Sequence, residues 1–314
     1  MNDTATPMSI FRRWKIYSDE MFPVLIYLPY IIALYFCLNF SAQALVGSDL
    51  VFDFYGLTGI VSAFFMMLLM RTFDDLKDFD LDKQIFPHRS TPRKLVLKGD
   101  IQLLMVLSLL VLVAINLWLA PKTLMVFFVV LIYLFGTFQW FFTEKIHREK
   151  VFLTMATHQP IPYMINFYLI HTGMAAGLAY EGFTWNQFIL VLIFSLPVTS
   201  WEVSRKIRSA DMETDYETFS MIFGAKRACL IAFSPLILAG GLSFYIAKVM
   251  DLGISYYPIT ALIMLYGFWV YLRFYFKPIN KNNILKNGAM IFTTLLFLNL
   301  LIHIILQSEL ILAL

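Results

Sequence analysis

GLTGIVSAFFMMLLMRTFDDLKDFDLD, residues 56–82, decides the fold. Its first fifteen residues carry no charge, and the window 56–75 has the ~20 residues a helix needs to cross a hydrocarbon core of ~30 Å. The far end carries five aspartates, Asp74, Asp75, Asp78, Asp80 and Asp82. Carboxylates at the edge of a membrane span are costly without partners and mark a functional site by default. A second apolar segment ends the same way, at Glu202, followed by Asp211, Glu213, Asp215 and Glu217; together the two clusters hold ten of the 21 acidic residues.

The rest of the chain agrees with a membrane reading. Of 314 residues, 60% are hydrophobic and 14% charged, with a mean hydropathy of +0.72, too apolar for a water-soluble domain of this length. Two cysteines, Cys37 and Cys229, are too few for a disulfide framework and argue against redox chemistry. Arg12, Arg13 and Lys15 precede a hydrophobic stretch that is too long for a signal-peptide core and lacks a small-residue cleavage site.

Apolar windows fall at about 22–46, 56–75, 101–120, 122–143, 151–172, 187–206, 227–249, 256–276 and 286–312. This predicts an all-α polytopic membrane protein with nine transmembrane helices in one domain, 1–314. Lys and Arg set the orientation. With residues 1–21 cytoplasmic, 22 of the 24 basic residues fall in cytoplasmic segments or helix ends, leaving Lys122 and Lys248 outside, as the positive-inside rule requires. Loops 76–100 and 207–226 are then both cytoplasmic, and the carboxyl terminus is extracytoplasmic.

Asp74, Asp78 and Asp82 stand at i, i+4 and i+8, an acidic stripe on a continuing helix; Asp211 and Asp215 repeat the i, i+4 spacing, with Glu202 earlier. Neighbouring carboxylates repel, and a hard cation such as Mg²⁺ relieves the repulsion through carboxylate, water and phosphate oxygens. Lys77, Arg89, Arg93, Lys94, Arg205 and Lys206 are interleaved with these acids, as is Arg208. A bare cation site has no use for them, whereas a metal-bound polyanion does. Juxtamembrane charge also commonly solvates helix ends and sets topology, the bland reading of the basic residues taken alone. A diphosphate whose remainder lies in a membrane is most simply an isoprenyl diphosphate. Its allylic cation needs a dry pocket, which 31 Phe and 16 Tyr could line with tolerant faces.

At these residues the chain resembles the UbiA-type intramembrane prenyltransferases, a superfamily with nine transmembrane helices and two Asp-rich cytoplasmic motifs, N-x-x-x-D-x-x-x-D and D-x-x-x-D. Asp74, Asp78 and Asp82 within RTFDDLKDFDLD match the first with Asp in place of Asn, and Asp211 and Asp215 match the second. FPHRSTPRKLVLKGDI (86–101) resembles the family's RP-x-P-x-G stretch with Ser90 in place of Pro, and FSMIFG (219–224) its T-x-x-x-x-G ending; Glu202 stands where many members carry Asp. The resemblance implies a UbiA-like bundle with the active site at the cytoplasmic side. Asp74, Asp78, Asp82, Glu202, Asp211 and Asp215 would hold Mg²⁺, and the nearby Arg and Lys, including Lys145, the diphosphate.

The implied reaction is prenyl transfer to an aromatic or quinone-like acceptor. His158, at the start of the polar part of the fifth span with Gln159, is a candidate base or acceptor-binding group. Expected partners are the isoprenyl diphosphate, an aromatic or lipid-like acceptor and membrane lipids, and no nucleic acid. A terpene cyclase would ionise the same substrate and quench the cation internally. CDP-alcohol phosphotransferases are disfavoured because their D-G-x-x-A-R core is absent. A lipid or ion transporter would use the carboxylates as coupling sites, although such sites usually lie near the bilayer midplane.

Overall fold

The structure, a computed structural model, describes residues 8–149, 151–176, 183–213 and 218–313. Eight of its helices are long and apolar enough to cross a membrane, so the chain is an integral multi-pass membrane protein. The chain forms two compact units, one of residues 1–33 and 57–144, the other of 34–56 and 145–314. Helices α2 (Val24–Leu45) and α3 (Phe54–Lys77) contribute to both.

The first unit begins with α1 (Ile10–Met21), an amphipathic helix whose Ser9 side chain accepts the Arg12 N–H. Ile10, Trp14, Tyr17 and Met21 recur at helical spacing, and Tyr17 is buried in a cluster with Val96 and Ile101. The chain runs through α3, α4 (Phe79–Ile85), α5 (Lys98–Leu119) and α6 (Leu124–Phe138). α1 packs on α5, and α5 on α6. The Asp53 carboxylate starts α3 by accepting the backbone N–H groups of Tyr55 (2.9 Å) and Gly56 (3.2 Å). After α6, Trp140, Phe141 and Phe142 all have positive φ, a conformation that costs each a non-glycine penalty.

The second unit holds α7 (Glu144–Glu149, whose first residue belongs to the first unit), α8 (Val151–His158), α9 (Pro160–Ala176), α10 (Trp185–Ser204), α11 (Phe219–Phe223), α12 (Ala225–Val249), α13 (Tyr256–Phe276) and α14 (Leu285–Gln307). α10 is its centre, packed on α9, α12 and α14. At Gly173 of α9 a Cβ would meet the Asn39 Cα at 2.9 Å, so glycine permits this close approach to α2.

Three features depart from the expected spans. The fifth window, 151–172, is filled by α8 and α9 rather than one helix, broken at Gln159–Pro160. Pro160 has no N–H to continue the ladder and is suited to opening a new helix. The ninth window ends at Gln307, and Leu310–Leu312 (β2) pairs in parallel with Leu50–Phe52 (β1). Loops 76–100 and 207–226 contain α4 and α11 and the first residues of α5 and α12.

Candidate functional site

The acidic stripe of the first unit sits where α3 gives way to α4. Helical hydrogen bonds run on through the join, from Asp78 N to Asp74 O (2.9 Å) and from Asp82 N to Asp78 O (2.8 Å). Asp78 itself leaves helical geometry (φ −100°, ψ 13°). Its neighbours are paired with cations. Lys77 reaches Asp74 at 3.3 Å and rests on the Trp140 ring at 4.1 Å, so the strained turn after α6 supplies a face that shelters the lysine. Arg89 holds Asp82 at 2.6 Å and stacks on Phe86 at 3.8 Å. Asp80 is exposed, and its bond to Lys83 lowers its pKa.

Asp75 differs from the rest. It is 6% exposed, accepts the Tyr17 hydroxyl at 2.6 Å and is paired with Arg71. Burial and the Asp75 charge push the Tyr17 hydroxyl well above an ordinary tyrosine, so it stays a donor. Nothing in the spacing of the aspartates sets Asp75 apart; the apolar periodicity of 10–21 would have revealed α1, but not that Tyr17 meets Asp75.

Between α4 and α5 the chain makes a turn carrying Arg89, Arg93 and Lys94. The Ser90 carbonyl accepts Leu95 N at 2.9 Å, and Ser90 N donates to Glu20 at 2.9 Å. Arg93 and Lys94 are exposed at its tip, Lys94 with positive φ.

In the second unit Glu202, in the last turn of α10, pairs with Arg205 at 2.7 Å. Lys206 is half-buried, and desolvation followed by the neighbouring Arg205 charge lowers its pKa. Asp211 is exposed on a single 3-10 turn, Ala210–Met212, and Glu213 beyond it is extended (φ −67°, ψ 146°). The backbone leaves helical geometry at Glu213, and Asp215, the other member of that i, i+4 pair, lies outside the described residues, as does Glu217. Glu213 instead closes the loop, accepting Thr218 Oγ1 at 2.8 Å and Ser220 Oγ at 2.6 Å; sequence spacing gave no sign of this clasp.

His158 ends α8. The Thr154 carbonyl, 2.8 Å from Nδ1, can only accept, so in the neutral ring Nδ1 carries the proton and Nε2 the lone pair. Gln159 Nε2 donates to Thr199 Oγ1 at 2.8 Å, and the Tyr163 hydroxyl lies 2.9 Å from the same atom. Lys145 is exposed on α7. His303, bonded to Asn299 O and Ser255, and His171, bonded to Phe167 O, serve helix packing.

Among the described residues no group of three His, Cys, Asp or Glu side chains could hold a metal ion unaided. Mg²⁺ rarely asks for one: it takes one or two carboxylates and fills its shell with water and phosphate oxygens. The hard oxygen donors at Asp74, Asp78 and Asp82, next to cations suited to phosphate, fit a metal shared with a bound diphosphate.

No family model and no curated protein matches the sequence. Solved structures do match. One, from a study of structural and mechanistic insights into the biosynthesis of digeranylgeranylglyceryl phosphate synthase in membranes, is similar with a TM-score of 0.66 over 93% of this chain and 99% of that chain, at 17% identity. Another, the apo structure of a UbiA homologue from Aeropyrum pernix K1, has a TM-score of 0.57 over 85% of this chain and 97% of that one, at 14% identity. At these identities the likeness is one of fold, and that fold is the UbiA-like helical bundle that the resemblance implied.

Proposed function

We propose that the protein transfers a prenyl group from an isoprenyl diphosphate to an aromatic or quinone-like acceptor, with Mg²⁺, at the cytoplasmic side of the membrane. The observation that carries this reading is the mixed cluster at the α3–α4 join, where Asp74–Lys77 and Asp82–Arg89 set oxygens suited to a metal beside cations suited to a diphosphate along one stripe. The fold shared with UbiA-type proteins supports it.

In this reading Asp74, Asp78 and Asp82, with Glu202, Asp211 and Asp215 in the second cluster, hold Mg²⁺. The metal would supply charge stabilisation to the diphosphate oxygens. Lys77, Arg89, Arg93, Lys94, Lys145, Arg205 and Lys206 bind the remaining oxygens. As the allylic C–O bond breaks, its electron pair leaves with the diphosphate, and these cations stabilise the growing charge. The acceptor forms the new bond to carbon and loses a proton, with His158 as the candidate base. A transport reading has weaker support, because Asp74, Asp75 and Glu202 occupy the last turns of α3 and α10, whereas coupling sites typically lie near the midplane.

The test is incubation of the purified protein with a panel of allylic diphosphates, with and without Mg²⁺ and acceptor, read by mass spectrometry. Mg²⁺-dependent turnover that waits for an aromatic acceptor is expected, and Asp78→Ala or Asp211→Ala should abolish it in protein that still melts like the wild type. Cyclised hydrocarbon without acceptor would replace transfer by cyclisation. Failure of folded protein to bind any diphosphate with Mg²⁺ would overturn both.

A further inference from the structure

α1 precedes the first membrane span, yet each of its polar anchors lands on the segment that carries the acidic stripe. Near its start, Arg13 grips the Asp100 carboxylate with two bonds of 2.7 and 2.8 Å, and Trp14 Nε1 donates to the Asp100 carbonyl at 3.0 Å. Asp100 also caps α5 by accepting Leu97 N at 2.8 Å. At its middle, Tyr17 donates to Asp75, the neighbour in sequence of the exposed Asp74. At its end, the Glu20 carboxylate accepts the Ser90 N–H. One helix thus ties down both ends and the centre of residues 75–100.

Ser90 is the pivotal contact. Its carbonyl closes the turn through Leu95 and its N–H is held by Glu20. The residue before it is Arg89, whose guanidinium bridges to Asp82. Arg89, Phe79, Asp75 and Asp82 line a small cavity together with Met21 from the end of α1, Thr91 and Pro92. A shift of Glu20 would therefore move the backbone that aims Arg89. Positioning of this kind matters because misplacement of a charged group by ~1 Å from a distant change can lose about a hundredfold in rate.

We propose that α1 is a strap that positions the diphosphate-binding turn, with Tyr17 and Glu20 as positioning residues acting through Asp75 and Ser90. The proposal rests on the diphosphate reading above. Neither side chain touches the substrate; Tyr17 keeps the end of α3 in register, and Glu20 fixes the turn that presents Arg89, Arg93 and Lys94.

The experiment compares full-length wild type with Tyr17→Phe, Glu20→Ala and Glu20→Gln in detergent. Hydrogen exchange is followed at the amides of residues 86–97, and binding of inorganic pyrophosphate with Mg²⁺ is measured by calorimetry. Glu20→Ala removes a charge-assisted bond, so exchange at 90–97 should quicken and the pyrophosphate Kd should rise about tenfold. Glu20→Gln keeps an oxygen for the Ser90 N–H and should recover most of the affinity. Tyr17→Phe keeps the ring in its apolar cluster and should raise Kd by a smaller factor. Exchange at 86–97 unchanged in Glu20→Ala would overturn the strap, and so would faster exchange with unchanged pyrophosphate affinity. If the wild type binds no pyrophosphate, the diphosphate reading falls and takes the strap's binding role with it; the exchange comparison then still decides whether α1 holds the turn.

Discussion

Asp74 and Asp75 are adjacent in sequence, and replacing each by alanine should give opposite results. The Asp75 side chain is 5% exposed, with Arg71 (29%) on one side and the buried Tyr17 hydroxyl on the other. Removing one member of a buried ion pair costs ~3–5 kcal/mol. Arg71 can still reach solvent with part of its guanidinium, so about 2 kcal/mol is appropriate for it. Tyr17, 1% exposed, loses its acceptor, which adds ~1–2 kcal/mol. Asp75→Ala should therefore lose about 3–4 kcal/mol, roughly a 150- to 900-fold shift in the folding equilibrium. Asp74 is 56% exposed, and Asp74→Ala should change stability by less than ~1 kcal/mol. Unfolding in detergent, followed by tryptophan fluorescence against denaturant and heat, measures both. The double change Arg71→Met with Asp75→Leu should recover the Arg71 share of about 2 kcal/mol, since an apolar pair leaves no stranded charge, while the Tyr17 share remains. The reasoning is refuted if Asp75→Ala unfolds like the wild type, or if it stays folded and loses only Mg²⁺ binding, which would make Asp75 a ligand rather than an anchor.

Gly173→Ala should destabilise the second unit by ~1–3 kcal/mol, because the added methyl meets the Asn39 backbone at 2.9 Å and backbone does not yield as a side-chain end does; unchanged melting would show that α2 and α9 can separate there freely. Lys206 has a pKa below the ordinary 10.5 because burial disfavours its charge. In the proposed site its protonated form would bind the anion, so Mg²⁺-pyrophosphate affinity should fall as pH rises through that lowered value, earlier than for an exposed lysine. Lys206→Arg, which keeps its charge, should move the fall to higher pH in calorimetry at a series of pH values, and an unmoved profile would remove Lys206 from the site. For stability the sign is reversed: the unfolded chain holds this proton more tightly, so raising pH through the lowered value favours the folded state.

The membrane spans were legible because each apolar window is long, and a helix is the one structure a lone segment can adopt while satisfying its backbone in lipid. The join at Asp78 was also legible, since an i, i+4, i+8 pattern survives a local departure when the hydrogen bonds on either side hold. Around Asp211 the spacing gave no sign that the backbone turns extended at Glu213. The split of the fifth window was written in Pro160 and Pro162, but a hydropathy window averages over prolines. Hidden altogether was the division of labour among the aspartates. What separates Asp75 from Asp74 is a hydroxyl 58 residues earlier in the chain, on a helix outside the apolar windows.

That division explains how acids and bases can share this site. The contacts that hold the segment in place, Arg13–Asp100, Tyr17–Asp75–Arg71 and Glu20–Ser90, each involve at least one buried group, so loss of a partner is costly. Asp82–Arg89 and, in the second unit, Glu202–Arg205 have both partners partly exposed, and pairs of this kind contribute only ~0–1 kcal/mol. They can exchange partners without loosening the fold. A lone cation arriving at Asp82 would take the carboxylate and strand Arg89; a lone anion would take Arg89 and strand the carboxylate. A diphosphate arriving with its metal satisfies both halves of each pair at once, which is why this cluster supports the diphosphate reading over coupling of a single ion.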